Sequence, residues 1–446
     1  SGCSSPTTRM SNRRYRIRRL LVPSAGLRRA FLAGLLGLAC LLVGIAITFK
    51  VPLNKGLDAL AAGVRHFLSA FVPASALDDT VWICGGVLLL VGVYLFVVLG
   101  LRNGLRHMIE TIIPGAKSGL VDAYTRRQKL AQGPRIVAIG GGTGLSTILR
   151  GLKVHSSNIT AIVTVSDDGG SSGRLIKDKG MIPPGDIRNC LVALADAEKS
   201  MTDLFQHRFK DDSGSLSGHS MGNLLIAALV DQSRGDFEKA VERASDVLNI
   251  RGRVVPATLE PVRLRALLDN GVEVCGETAI AQAGQKIRRI FLDPATVLPH
   301  KAALEAIRDA DIICIGPGSV YTSIIPNLLV PGIAQALKET QAIKAYICNV
   351  MTQPGESDSF SASEHITAIL TNTESRIFDY VLVNNGVPSE ATLEKYRESG
   401  QFLVEPDVDR IRSQGFRPIV RDFSAESDLV RHEPYKVAAC VMGLLR

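Results

Sequence analysis

Three glycine-bearing runs hold the residues best suited to chemistry. Gly140-Gly141-Gly142-Thr143-Gly144 follows the apolar residues 136–139 and opens LSTILRGL, a segment of helical period. Glycines let backbone N–H groups approach a phosphate, and a helix start favours its negative charge. The run fails the dinucleotide template G-x-G-x-x-G, because Leu145 holds the sixth place, and no Gly-Lys-Ser/Thr follows. It points to a phosphate or nucleotide near a helix start, or to a tight strand–helix turn without ligand. Gly316-Pro317-Gly318-Ser319, with Tyr321 beyond it, follows ADIICI and reads as a second anion cradle. Between them lies Asp167-Asp168-Gly169-Gly170-Ser171-Ser172-Gly173-Arg174. Its carboxylates suit ribose hydroxyls, Mg²⁺ or base catalysis, or else turn and cap chemistry. Gly218-His219-Ser220-Met221-Gly222-Asn223 precedes an apolar helix; His219 reads as a proton shuttle, a ligand contact or a packed cap. Asn349, followed by residues 351–356, offers amides suited to a base edge or sugar hydroxyls. No HExxH or kinase signature is present.

The elements that must position these groups are legible as runs. RIVAIG, ITAIV, ADIICIG, IKAYICNV and FDYVLVNN are short and almost wholly apolar, and each ends in a polar or glycine-rich loop. Helical stretches such as GNLLIAALVD, GIAQALKE and residues 391–398 lie between them. Apolar strands alternating with helices predict an α/β fold, a Rossmann-like doubly wound parallel sheet covered on both faces, with a helical subregion. Ligands in such sheets bind at the carboxyl ends of the strands.

The first third of the chain has a different composition. Residues 30–49 and 81–101 are uncharged and apolar over 20 and 21 positions, long enough for two transmembrane helices. The chain of 446 residues has a net charge of +8, yet residues 136–446 carry −5. The basic excess lies in residues 1–29 and 102–135, so a membrane surface is the expected partner and nucleic acid is not. These counts predict a basic cytoplasmic tail 1–29, a hairpin 30–101 with external loop 50–80, a basic tether 102–134 and a cytoplasmic domain 135–446 at the plasma (inner) membrane. Within the loop, Leu57, Leu60, Ala61, Val64, Phe67, Leu68 and Phe71 recur at helical spacing and predict an interfacial helix. Met10 reads as a translation start. Eight cysteines without a CxxC pair argue against zinc or a disulfide framework, and Cys275, Cys314 and Cys348 lie in apolar strand-like runs.

Taken in order, IGGGTGLSTILRGLK, TVSDDGGSSGRL, PPGDIRN, GHSMGNLLIAAL, IGPGSVYTSIIPNLLV, NVMTQPGESD and the RH at Arg431 resemble the YvcK proteins. These are bacterial gluconeogenesis factors, in the superfamily of CofD, the phospholactate transferase of coenzyme F420 synthesis. The resemblance covers residues 135–446. It implies a Rossmann-like core, binding of UDP-N-acetylglucosamine or UDP-glucose, no certain cofactor, and a regulatory role in cell-wall synthesis, cell shape and growth on gluconeogenic carbon. An unidentified protein partner and a homo-oligomer belong to the same expectation. Carried over by motif, the site comprises Gly140, Gly141, Gly142, Thr143, Gly144, Asp167, Asp168, Asn223, Gly316, Gly318, Ser319, Tyr321, Asn349 and Arg431. The alternative is a CofD-like transferase moving a phosphoryl-containing group, with Mg²⁺ on Asp167 or Asp168 as candidate catalytic residues. Ser357 and Glu364 stand where the family pattern has Thr and Asp. The hairpin looks like an added anchor.

Overall fold

The structure is a computed structural model that describes residues 25–49, 55–103, 120–196, 199–210, 214–425 and 430–445. The readings of Met10 and of most of the basic tail fall outside these residues, as does part of the tether. The chain divides into two units, residues 1–126 and 127–446.

In the first unit, helix α1 (Ala25–Phe49) is followed by α2 (Lys55–Ser69) and α3 (Leu77–Tyr94), and α3 widens into a π-helical turn over Leu95–Arg102. Two stretches, Arg29–Thr48 and Leu77–Arg102, are long and apolar enough to cross a membrane, each with a mean hydropathy of 2.6. Glycines let α1 and α3 touch backbone to backbone. A Cβ on Gly44 would stand 2.8 Å from the Leu89 nitrogen, and one on Gly92 would stand 2.6 Å from the Leu41 nitrogen. Phe31, Leu32, Leu35, Trp82, Ile83 and Leu90 face outward. Helix α2 covers much of the expected interfacial helix. Its Phe67 meets Phe71 in a tilted ring contact at 5.2 Å, both rings exposed, and Arg65 pairs with Asp78.

The second unit is built on a seven-stranded sheet. Its strands are β1 (Ile136–Gly140), β2 (Ile159–Val163), β3 (Arg253–Pro256), β7 (Ile312–Ile315), β8 (Ile343–Ile347), β9 (Tyr380–Asn384) and β10 (Arg417–Arg421). Between β3 and β7 the chain forms a separate antiparallel sheet of β4 (Arg263–Leu268), β5 (Glu273–Cys275) and β6 (Ile287–Asp293). All neighbours in the large sheet are parallel, in the order β10-β9-β8-β7-β1-β2-β3. The near-continuous apolar character of the strands follows from burial on both faces. Ile136 and Ala138 enter one core while Val137 and Ile139 enter the other.

Six helices bear on the site: α4 (Gly142–Leu152), α5 (Gly170–Lys179), α6 (Gly185–Leu194), α7 (Met221–Gln232), α8 (Glu277–Gln282) and α9 (Pro434–Gly443). Helices α6 and α7, with Lys199–Gln206 and Phe237–Leu248, form the helical subregion between β2 and β3. β1 lies between β2 and β7, so the connections leave it in opposite directions. The carboxyl ends of β1 and β7 therefore bound the switch-point crevice where ligands of doubly wound sheets bind. Cys314 and Cys348 are buried as their apolar runs predict, but Cys275 is exposed at the end of short β5. The small sheet has no second buried face over that residue, since the β5 pattern alternates with solvent.

Candidate functional site

A cleft of about 400 Å³ opens over the carboxyl ends of β1 and β7. Gly141, Gly142, Thr143 and Gly144 form one wall and Gly318 and Ser319 another, with Asn349 and Arg431 also lining it. The two glycine loops meet without side chains between them. A Cβ on Gly144 would stand 2.5 Å from the Pro317 carbonyl oxygen, and one on Gly141 would stand 2.6 Å from Asp186 Oδ2. Gly142 adopts φ +62°, a left-handed conformation that L side chains disfavour, although a Cβ there would make only an ordinary contact, 3.7 Å from Ser323 Oγ.

Asn349 acts on the loop and not outward from it. Its Oδ1 accepts from Gly318 N at 3.0 Å and its Nδ2 donates to the Gly318 carbonyl at 2.9 Å. Ser319 caps the helical turn beyond: its Oγ accepts from Thr322 N at 3.2 Å, and it hydrogen-bonds Glu356. His432, buried and held well below its usual range at about 4 by that burial, places Nε2 3.0 Å from the Cys348 carbonyl. That bond fixes the neutral imidazole at the end of β8 and sets exposed Arg431 beside it on the cleft.

Other sequence candidates fall outside the lining. Gly140 and Gly316 end their strands and serve the sheet. The Gly140 carbonyl accepts from Thr164 N and from Asn327 Nδ2, and Gly316 N donates to Ile139 O at 2.8 Å. Tyr321 points into the core, 3% exposed, with its hydroxyl donating to the Ile287 carbonyl. Asp168 Oδ1 accepts from both Thr278 N (3.0 Å) and Thr278 Oγ1 (2.7 Å), tying the β2 loop to α8. Asp167 Oδ1 accepts from Gly169 N, an Asx turn. Asn223 is buried in the first turn of α7, where its Nδ2 donates to Ser171 Oγ at 3.1 Å.

The structure adds carboxyl groups that motif spacing did not single out. Asp186, in the first turn of α6, accepts from the Gly142 backbone; burial first, then the Asp167 carboxylate, raises it to about 6. Glu277, in the first turn of α8, lines the cleft. Burial, followed by Asp167, Asp186, Glu356 and Asp168, raises it to about 9. Its Oε2 is buried without a hydrogen-bond partner. Glu356 is also raised by burial, against the hydrogen bonds from Ser319 and Thr322. Of these, PPGDIRN marks Asp186 and TQPGE marks Glu356, whereas nothing around Glu277 sets it apart from a surface acid. Among the described residues, no three His, Cys, Asp or Glu side chains are grouped to share a metal ion. At the far end of the cleft Val350, Met351 and Val430 form a small apolar cluster with Tyr396, whose hydroxyl accepts from Val430 N at 2.9 Å. The cleft thus joins a backbone-rich, carboxyl-bearing half to an apolar half carrying one ring.

Comparison with known proteins agrees with this architecture. Residues 136–424 match the family described as 2-phospho-L-lactate transferase CofD. A "putative gluconeogenesis factor" of Nostoc is 44% identical over 425 residues, covering 95% of this chain and 91% of the relative. The "gluconeogenesis factor" of Bacillus subtilis is 46% identical over 319 residues, 71% of this chain and all of the relative. A crystal structure of a UPF0052-family protein from Bacillus halodurans superposes with a TM-score of 0.66 at 46% identity, covering 69% of this chain and 99% of that one. With the seven-stranded sheet, the paired glycine loops and identity of this depth over complete relatives, the chain belongs to the gluconeogenesis factor family, built on a CofD domain.

Proposed function

We propose that the protein is a membrane-anchored receptor for a UDP-sugar, UDP-N-acetylglucosamine or UDP-glucose, that regulates cell-wall synthesis, cell shape and growth on gluconeogenic carbon sources through a protein partner. The observation that carries this reading is the cleft where the two glycine loops meet beneath Arg431. Bare backbone suits a diphosphate, a guanidinium can clamp it bidentately, and the Tyr396 end suits a base or sugar. The names of the relatives support the link to gluconeogenic growth. The two apolar helices support anchoring in the plasma membrane, the basic flanks support a cytoplasmic side for residues 136–446, and the −5 charge of that domain speaks against nucleic acid as its partner.

A second reading, a transferase moving a phosphoryl-containing group, is favoured by the description of the matching family and by the carboxyl groups of Asp167, Asp168 and Asp186 beside the glycine loop. The described carboxylates do not form a metal-sharing group, and Asp168 is already engaged by Thr278. Mg²⁺ needs only one or two carboxylates beside substrate phosphates, so in this reading Asp167 or Asp168 would hold it and metal dependence is part of the test. Calorimetry separates the readings. The receptor binds UDP-N-acetylglucosamine without added metal and returns it intact after long incubation. Arg431→Ala weakens that binding by about 10–150-fold, the loss of roughly 1.5–3 kcal/mol of charge-assisted hydrogen bonding. Unchanged affinity in folded Arg431→Ala, or metal-dependent turnover with release of a nucleotide, rejects the receptor reading.

A further inference from the structure

Three arginines gather on one short turn that does not line the cleft. Arg208 Nη1 donates to the Gly218 carbonyl at 2.6 Å. Arg174 Nη2 lies 3.1 Å from where a Cβ on Gly218 would stand, and Gly218 has φ +70°. Arg188 Nη1 donates to Ser220 Oγ at 2.5 Å and its Nη2 to Asn189 Oδ1 at 2.8 Å. None of the three forms an ion pair among the described residues. Their mutual repulsion is felt. After burial, Arg208 is the largest influence lowering Arg188, and each of Asp186 and Asp167 offsets it less. His219, in the middle of the turn, is lowered by burial and then by Arg174, with Asp178 opposing and Arg208 adding to the fall.

The turn also opens a helix. Ser220 caps the 12-residue helix α7, so that helix's positive end faces the same place. A buried network fixes the turn from behind, with His219 Nδ1 3.0 Å from Ser171 Oγ and Asn223 donating to that same oxygen. Two buried atoms remain without a partner: Arg188 Nε and Asn223 Oδ1, the latter on a side chain 2% exposed. Three guanidiniums without a directly paired carboxylate, set against only the longer-range charges of Asp167, Asp178 and Asp186, leave an excess of positive charge that an anionic ligand offsets. Arg208 is exposed and Arg174 half-buried, so the turn is open to solvent.

We propose that the Gly218-His219-Ser220 turn, with Arg174, Arg188 and Arg208, is a second anion site that takes the phosphoryl group of a small phosphate monoester, separate from the glycine-lined cleft. The guanidiniums and the helix end hold the phosphoryl oxygens. The orphan Asn223 Oδ1 is an acceptor for a hydroxyl on the carrier.

Titration of glycerol 3-phosphate into the full chain in detergent tests this directly. The wild type binds it. Arg431→Ala, which alters only the cleft, leaves that binding within about twofold, whereas the Arg174→Gln/Arg208→Gln double variant weakens it at least about tenfold. The ligand-free melting temperature of the double variant stays level or rises, because repulsion is removed; a purely structural pair would lower it. No binding to the wild type, unchanged binding in the double variant, or loss in Arg431→Ala alone overturns the proposal. Binding of UDP-N-acetylglucosamine, followed in parallel, reports the cleft independently.

Discussion

Glu277 is the residue whose environment departs furthest from that of a free carboxyl in the cleft. It faces four other acids, and its neutral form is favoured first by burial and then by that repulsion. The folded protein holds this proton up to about 9 against an ordinary value of 4.5. Stability from it is complete below the unfolded value and is lost as pH rises through that window, because the unfolded chain releases the proton first. The melting temperature of the wild type should accordingly fall between about pH 5 and 9, and Glu277→Gln, which keeps a hydrogen-bonding side chain without the titration, should flatten the fall. Parallel curves for the two proteins would show that Glu277 is an ordinary carboxylate. The same neutral state would suit the proposed diphosphate: a protonated carboxyl donates to a phosphate oxygen, where a carboxylate repels it.

At the scale of the element, the two glycine loops show that one motif holds glycines for different reasons. Gly142 needs its freedom for φ +62°, while a Cβ there would make only an ordinary contact with Ser323 Oγ. Gly144 needs its missing side chain, because the Pro317 carbonyl stands where the Cβ would be. Gly142→Ala should therefore cost about 1–2 kcal/mol of left-handed strain and leave the loops in register. Gly144→Ala should push the β1 and β7 loops apart and weaken UDP-sugar binding more than Gly142→Ala does, at a comparable loss of melting temperature. Equal affinity losses in the two variants would show that the loops do not meet at Gly144. The strands behind these loops were legible because β1, β2, β7, β8 and β9 are apolar on both faces. β10 was not, since Arg417, Pro418 and Arg421 give it the composition of an exposed sheet edge. β4, and β6 from Ile290 onward, carry a period-2 burial pattern that could have been found, but it lies outside the parallel theme of the other strands. The acids of the cleft were hidden for another reason: Glu277 reaches Asp167 and Asp186 only through tertiary approach, which no local pattern encodes.

Across the whole molecule, the two units expose different kinds of surface. Residues 127–446 have two cores, one on each face of the large sheet, and every strand of that sheet is drawn from within the unit. Relatives from Bacillus subtilis and Bacillus halodurans match about seventy per cent of this chain and are themselves matched almost end to end, so a domain of this extent stands alone elsewhere. The first unit instead exposes Phe31, Leu32, Trp82, Ile83 and Leu90 over two stretches of spanning length. Such a continuous apolar face in water drives association, and in a bilayer it is the solvated surface. Residues 127–446 expressed alone should thus be soluble without detergent, melt cooperatively and bind UDP-N-acetylglucosamine within about twofold of the full chain, since every lining residue of the cleft lies in this unit. The full chain should sediment with membranes and resist extraction by salt or alkali, as spanning helices do and electrostatically held proteins do not. Release of the full chain by high salt would assign the attachment to the basic segments instead of the helices, and loss of ligand binding on truncation would mean that the cleft needs the first unit.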